Sequence, residues 1–101
     1  MASGEPVTAG SSGVVERSVT ISNSLGLHAR PAAQFVRLAS SFGSHIELEK
    51  DGMSVNAKSI MGVMMLAAEC GSSLRIRANG PDAEQAVQAL AELVSDGFGE
   101  T

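Results

Sequence analysis

The residues that could carry chemistry lie in one short stretch, GLHARPAA at 26–33. The apolar spacing after it predicts a helix, so the His28 imidazole would lie beside unpaired N–H groups and the positive end of the helix dipole. That position favours a neutral, nucleophilic ring and an anion attached to it. The Arg30 guanidinium can add charge-assisted hydrogen bonds to phosphoryl oxygens. A phosphoryl-accepting histidine is therefore one interpretation; an incidental loop histidine beside a solvated arginine is the other, and spacing alone leaves both open.

Ser59 begins a second apolar run, SIMGVMMLAAECG at 59–71. Serine is a preferred N-cap, worth about 1 kcal/mol relative to alanine, and this role alone explains its presence. A phosphate on Ser59 would lie at a helix N-terminus, where its charge is tolerated. From the residues alone, capping is the favoured interpretation.

The stretch after Ser59 is apolar almost all round and contains Met61, Met64 and Met65, three of the five methionines. A two-layer domain scarcely allows a helix to be buried on every side, so part of it is expected to face a partner. Methionine side chains adapt to several binding surfaces, which favours protein partners. Arg37 lies just off the apolar stripe of the first helix and is expected to border a docking surface for an acidic partner.

Composition and motifs argue against several classes of function. The 101 residues suit one small domain. A net charge of -4, no Trp or Tyr and only seven basic residues predict no nucleic-acid partner. Neither glycine-rich nucleotide loop is present, and two His and one Cys lack ligand spacing, so we expect no cofactor and no metal. No run is long enough for a membrane span and no secretion signal is visible, which predicts a cytoplasmic protein with Cys70 as a small buried hydrophobe.

Residues 1–13 are small and polar and are expected to form a flexible tail, followed by one domain at 14–101. The predicted elements are, in chain order, a strand at 14–21, a helix at 29–42 with Gly43 as its left-handed cap, two strands joined at Asp51-Gly52, a helix at 59–71, a strand at 74–78 and a helix capped by Asp82.

This order, β-α-β-β-α-β-α, contains a hairpin and no strand-helix-strand run long enough for a parallel sheet. It predicts an α+β fold: an open-faced, two-layer β-sandwich in which three helices cover one face of a four-stranded antiparallel sheet.

Two motifs together, GLHARPA at 26–32 and KSIMGVMML at 58–66, closely resemble the HPr family, the histidine-containing phosphocarriers of the bacterial sugar phosphotransferase system. The resemblance runs from about Val15 to Glu100. It implies that His28 accepts a phosphoryl group through Nδ1, with Arg30 beside it. The group would come from enzyme I, which is charged by phosphoenolpyruvate, and leave to enzyme IIA domains. The protein would then be a monomeric carrier in sugar uptake and not an enzyme.

The same resemblance matches Ser59 to the site used by HPr kinase/phosphorylase. It implies docking residues at Ile60, Met61 and Met64, and we expect Leu66 to belong to the same partner-binding surface. Phosphate on Ser59 would then hinder transfer at His28, because both helix starts would lie in one partner-binding surface.

The alternative is a regulatory binding module for catabolite or nitrogen-related control, working mainly through Ser59 and the Met-rich helix. Met65 stands where the family often has a small polar residue, and Ala67 where it usually has glycine. Both departures fall on the docking helix and so bear on partner preference more than on phosphoryl chemistry.

Overall fold

The computed structural model describes residues 14–100, within which strands and helices alternate. In chain order the elements are β1 (Val14–Thr20), α1 (Ala29–Ser40), β2 (His45–Lys50), β3 (Met53–Asn56), α2 (Ile60–Met65), β4 (Ser73–Asn79) and α3 (Ala83–Ser95), followed by a 3-10 turn at Gly97–Gly99. The predicted order of elements is confirmed. The expected tail at 1–13 lies outside the described residues, as does residue 101.

The strands form one antiparallel sheet in the order β1-β4-β2-β3. Val19 pairs with Leu74 and Leu48 pairs with Ile76, and all four side chains are buried on the same face. The three helices described cover that face, so the predicted open-faced α+β sandwich is confirmed. The opposite face is lined by charged side chains, among which Arg77 bonds carboxylates on both neighbouring strands.

The hairpin and the buried stripes also follow the sequence patterns. Asp51 and Gly52 both have positive φ, as the two central residues of a tight hairpin turn require. Phe35 is completely buried on the predicted stripe of α1. The predicted stripe of α3 is buried as well, at Ala83, Ala86, Val87, Leu90 and Val94.

The cap predicted at Gly43 is wrong, whereas Asp82 stands at its predicted N-cap position but does not cap α3 through its side chain. α1 ends at Ser40, and Gly43 is not among the residues with positive φ. The Gly43 N–H instead donates to Asp82 Oδ2 at 2.8 Å. Asp82 occupies the N-cap position of α3 but makes no cap hydrogen bond; its carboxylate accepts from the Ser44 N–H and hydroxyl. The fold brings these three donors of the α1–β2 loop to the carboxylate, and they replace the local cap.

The second helix is much shorter than predicted. α2 ends at Met65, and Ala67 then adopts a left-handed conformation with φ of 49°. The chain turns there so that the Ala68 carbonyl accepts the Leu27 N–H at 2.9 Å, which binds this loop to the one before α1. Cys70 lies on the loop and is exposed, so its predicted burial is wrong.

Candidate functional site

His28 is the N-cap residue of α1, as predicted, with an extended backbone. Its carbonyl accepts the Ala32 N–H at 3.0 Å, while its side chain makes no cap hydrogen bond. The approach to His28 depends on Gly26, which has φ of +69°; a Cβ built there would lie 2.4 Å from the Ala68 carbonyl oxygen. Only glycine fits this close approach of two loops, and it delivers the imidazole to the start of the helix.

The imidazole is held by the end of the chain. His28 Nε2 lies 3.1 Å from Oε2 and 3.3 Å from Oε1 of Glu100. Glu100 follows the 3-10 turn whose Phe98 side chain is buried in the core, and this anchor places the carboxylate. An ionised carboxylate can only accept hydrogen bonds, so in the neutral imidazole this contact favours the tautomer with its hydrogen on Nε2 and its lone pair on Nδ1. No hydrogen bond within residues 14–100 uses Nδ1.

Several groups act on the Glu100 carboxyl. Desolvation raises its pKa most, but hydrogen bonds from His28 and Asn23, together with the charges of His28 and Arg30, outweigh it, and the pKa lies below its usual value. The carboxylate is therefore ionised at neutral pH, in the state that accepts the Nε2–H hydrogen bond.

Asn23 is a buried residue that also contacts the Glu100 carboxylate. It is 2% exposed, and its Nδ2 donates to the Gly26 carbonyl at 2.8 Å and to Glu100 Oε1 at 3.1 Å. No role was predicted for Asn23 or Glu100 from the sequence. The available signal was Phe98, an apolar residue between two glycines, whose burial would hold the following Glu100 close to the domain.

The predicted basic residues lie on the exposed surface of α1. Arg30 lies in the first turn, and in the described part of the chain it forms no ion pair, so its guanidinium is available to an incoming anion. Arg37 lies two turns further along the same side of the helix and is also exposed.

Ser59 is the N-cap of α2, which confirms the capping interpretation. Its Oγ accepts the Gly62 N–H at 3.1 Å, and its carbonyl accepts the Val63 N–H at 3.0 Å. The neighbouring Lys58 donates through Nζ to the Phe42 carbonyl at 2.8 Å, just beyond the last turn of α1. The Lys58 side chain therefore connects the start of α2 to the segment that follows α1.

The exposed apolar surface expected on the Met-rich helix is present. It consists of Ile60, Met61, Met64 and Met65, which we call the Met patch; Met61 is 73% exposed. Leu66, expected among the docking residues, is only 4% exposed and packs in the core, because the last turn of α2 directs it inward. Leu25, in the loop before His28, is 73% exposed and was not predicted as part of an exposed surface.

Two further properties bear on the site. Across residues 14–100, no group of three His, Cys, Asp or Glu side chains could hold a metal ion. Over the same residues, none of the helices has the length and apolar character needed to cross a membrane.

Known proteins share this arrangement of sequence and fold. Residues 15–96 match the family described as PTS HPr component phosphorylation site. The phosphocarrier protein HPr of Cupriavidus necator is 47% identical over 87 residues, covering 86% of this chain and 98% of that protein. The crystal structure of HPr-C-His from Thermoanaerobacter tengcongensis superposes with a TM-score of 0.83 at 49% identity, covering 86% of this chain and 98% of the other.

A regulatory relative is similar too. The crystal structure of Crh from Bacillus subtilis, described as a catabolite repression protein and a swapped dimer, gives a TM-score of 0.67 at 46% identity, covering 82% of this chain and 95% of that one. The family match extends over most of the described residues and includes His28, Arg30 and Ser59. On this evidence the chain belongs to the HPr family of phosphocarrier proteins.

Proposed function

We propose that this protein carries a phosphoryl group on Nδ1 of His28, accepting it from enzyme I and passing it to enzyme IIA domains in sugar uptake. The observation that carries the proposal is the 3.1 Å contact between His28 Nε2 and Glu100, which leaves the lone pair on Nδ1. The ring stands at the N-terminus of α1 with Arg30 two residues on. The protein is the substrate of other phosphotransferases and not itself an enzyme.

Phosphoryl transfer to His28 does not require the imidazole ring to lose a proton. The Nδ1 lone pair forms the new N–P bond, while the bond from phosphorus to the donor atom breaks and its electron pair stays with the donor. Nε2 keeps its hydrogen throughout, and that hydrogen stays hydrogen-bonded to the Glu100 carboxylate. The phosphoryl oxygens are stabilised by N–H groups of the first turn of α1 and by the Arg30 guanidinium. Transfer to an enzyme IIA domain reverses these steps with a new acceptor.

Incubation with phosphoenolpyruvate and enzyme I tests this proposal. The protein should take up one phosphoryl group in an acid-labile, base-stable linkage. His28→Ala should abolish uptake, and His45→Ala is the matched control, because His45 is exposed and its ring pairs with Glu47 alone among residues 14–100. Uptake by His28→Ala, or its loss in His45→Ala alone, would contradict the assignment.

We further propose that Ser59 is a regulatory phosphorylation site. Ser59 and His28 are both N-cap residues of helices, and the Met patch begins next to Ser59. A phosphate on Ser59 would add negative charge to the surface on which a partner docks and would repel an incoming phosphoryl donor.

Ser59→Asp and Ser59→Asn separate this charge effect from the cap, because both residues are good N-caps. We expect Ser59→Asp to raise the KM of enzyme I for this protein, and Ser59→Asn to leave it unchanged. An equal change in both variants would assign the effect to the helix and remove the regulatory role.

The second candidate function is a regulatory binding module acting through Ser59 and the Met patch. The exposure of the Met patch favours it, as does the similarity to Crh. The two functions differ in their donor: the phosphocarrier is labelled at His28 by enzyme I and phosphoenolpyruvate, and the module is labelled at Ser59 by an ATP-dependent HPr kinase/phosphorylase. We propose a monomer in solution, which light scattering tests against a dimer of the kind described for Crh.

A further inference from the structure

The Asn23 side chain is buried in a way that packing alone does not explain. Its Oδ1 has no hydrogen-bond partner, and it is the one buried side-chain N or O atom without a partner in the described chain. Burying an amide oxygen unpaired costs stability, and an apolar side chain would avoid that cost. The reason for an amide at this position must lie at its other end, the Nδ2 group.

Both hydrogens of Nδ2 point at groups that hold His28. One goes to Glu100 Oε1 at 3.1 Å, and the second oxygen of that carboxylate contacts His28 Nε2. The other goes to the Gly26 carbonyl at 2.8 Å, which also accepts the backbone N–H of His28 at 2.9 Å. One amide therefore contacts both the group that holds the imidazole and the carbonyl that holds its backbone.

The orientation of this amide is determined by its neighbours. A reversed amide would place Oδ1 against the Gly26 carbonyl and the Glu100 carboxylate, which are both acceptors. The assigned orientation leaves Oδ1 unpaired but supplies the two donors that these oxygens need.

We infer that Asn23 is a positioning residue for His28: its buried amide holds Glu100 against Nε2, keeps the ring hydrogen on Nε2, and so keeps the Nδ1 lone pair directed outward. The consequence for phosphoryl transfer rests on the proposed function. The effect on the ring itself does not, and it can be observed without any donor protein.

The experiment uses Asn23→Asp, which keeps the side-chain volume, and Asn23→Ala. Nitrogen-15 NMR of the His28 ring at neutral pH should show the Nε2–H tautomer in the wild type and a mixture of tautomers in both variants. Ser44→Ala is the matched control, since Ser44 is equally buried and hydrogen-bonded but lies at the other end of α1. Ser44→Ala should lower the thermal stability and leave the tautomer of His28 unchanged. If the role of Asn23 were merely structural, both Asn23 variants would behave in the same way.

A kinetic cycle with Glu100→Ala tests the path of the effect. Asn23→Ala alone should slow phosphoryl uptake from enzyme I by roughly ten- to a hundred-fold, because small displacements of a reacting group are costly. In the Glu100→Ala background the same substitution should add almost nothing. Circular dichroism establishes that each variant is folded.

An unchanged tautomer in both folded Asn23 variants would overturn the inference, as would fully additive losses in the kinetic cycle. Failure of the proposed function is a different result: the wild type would then take up no phosphoryl group, while the NMR comparison would still decide the role of Asn23.

Discussion

Glu100 Oε2 lies 3.1 Å from His28 Nε2, although 72 residues separate the two in the chain. The contact joins the terminal 3-10 turn to the start of α1 and determines which imidazole nitrogen is free. A histidine at a helix N-terminus has two ring nitrogens that could react, and this carboxylate makes them different. The chemistry of the site therefore depends on where the end of the chain is packed.

The stability cost of the close approach at Gly26 can be measured by comparing alanine substitutions at Gly26 and Gly52. Gly52 also has positive φ, but no atom lies within 4 Å of a Cβ built there. Gly52→Ala should cost only the left-handed strain, about 1–2 kcal/mol in the free energy of unfolding. Gly26→Ala adds the collision with the Ala68 carbonyl and should cost about 1–3 kcal/mol more. Urea unfolding of the two variants checks this difference, and equal losses would mean that the two loops can separate freely.

The Met patch should contribute to partner binding and not to folding. Met61→Ser should weaken binding to enzyme I by roughly tenfold, about 1.4 kcal/mol, with little change in melting temperature. Met53→Ser is the control, because Met53 is an exposed methionine on β3 and is not part of the Met patch. Titration calorimetry measures both variants. A similar loss at Met53 would indicate that exposed methionines act nonspecifically.

Leu66 should behave as a core residue despite its place in the sequence motif. Leu66→Ala should lower the free energy of unfolding by about 2–5 kcal/mol, since it leaves a cavity. Met65→Ala, one residue earlier and on the surface, should change it by less than about 0.5 kcal/mol. Chemical denaturation measures the free energy of unfolding of both variants. A small loss for Leu66→Ala would mean that Leu66 is not a core residue and belongs to the docking surface.

The hydrogen bonds between the Asp82 carboxylate and the α1–β2 loop should make the stability of the fold depend on pH. The Ser44 hydroxyl and the Gly43 N–H hold the pKa of Asp82 below its ordinary value of 3.8, despite opposing desolvation. A lowered folded-state pKa means that the stabilisation is complete above pH 3.8 and is lost as the pH falls through the folded-state pKa.

Asp82→Asn should therefore melt at a lower temperature than the wild type at neutral pH, and the difference should shrink in the acid range below pH 3.8. Asp96→Asn is the control, because Asp96 is exposed and makes no side-chain hydrogen bond in the described part of the chain. A difference that stays constant across this range would show that the carboxylate charge is not what the loop requires.

Local patterns were sufficient for most of the fold. The Asp51-Gly52 turn and the buried stripes of α1 and α3 depend on residues a few positions apart, so backbone preference and hydrophobic periodicity predict them. The failures are at element ends. α2 stops at Met65 because the next residues pack against the loop before His28. Asp82 stays at the N-cap position, but its carboxylate bonds three donors of a distant loop instead of its own helix.

The sequence by itself determined that a histidine would stand at a helix N-terminus beside an arginine, and that a serine would cap an apolar helix. Those features are local, since each depends on neighbours within one turn. Only the tertiary structure decided that Glu100 would contact the imidazole, that Asn23 would hydrogen-bond Glu100, and that Leu66 would be buried. The physical reason is that hydrogen bonds and burial depend on distance in space, and no short-range pattern specifies which remote side chain the packed core delivers to His28.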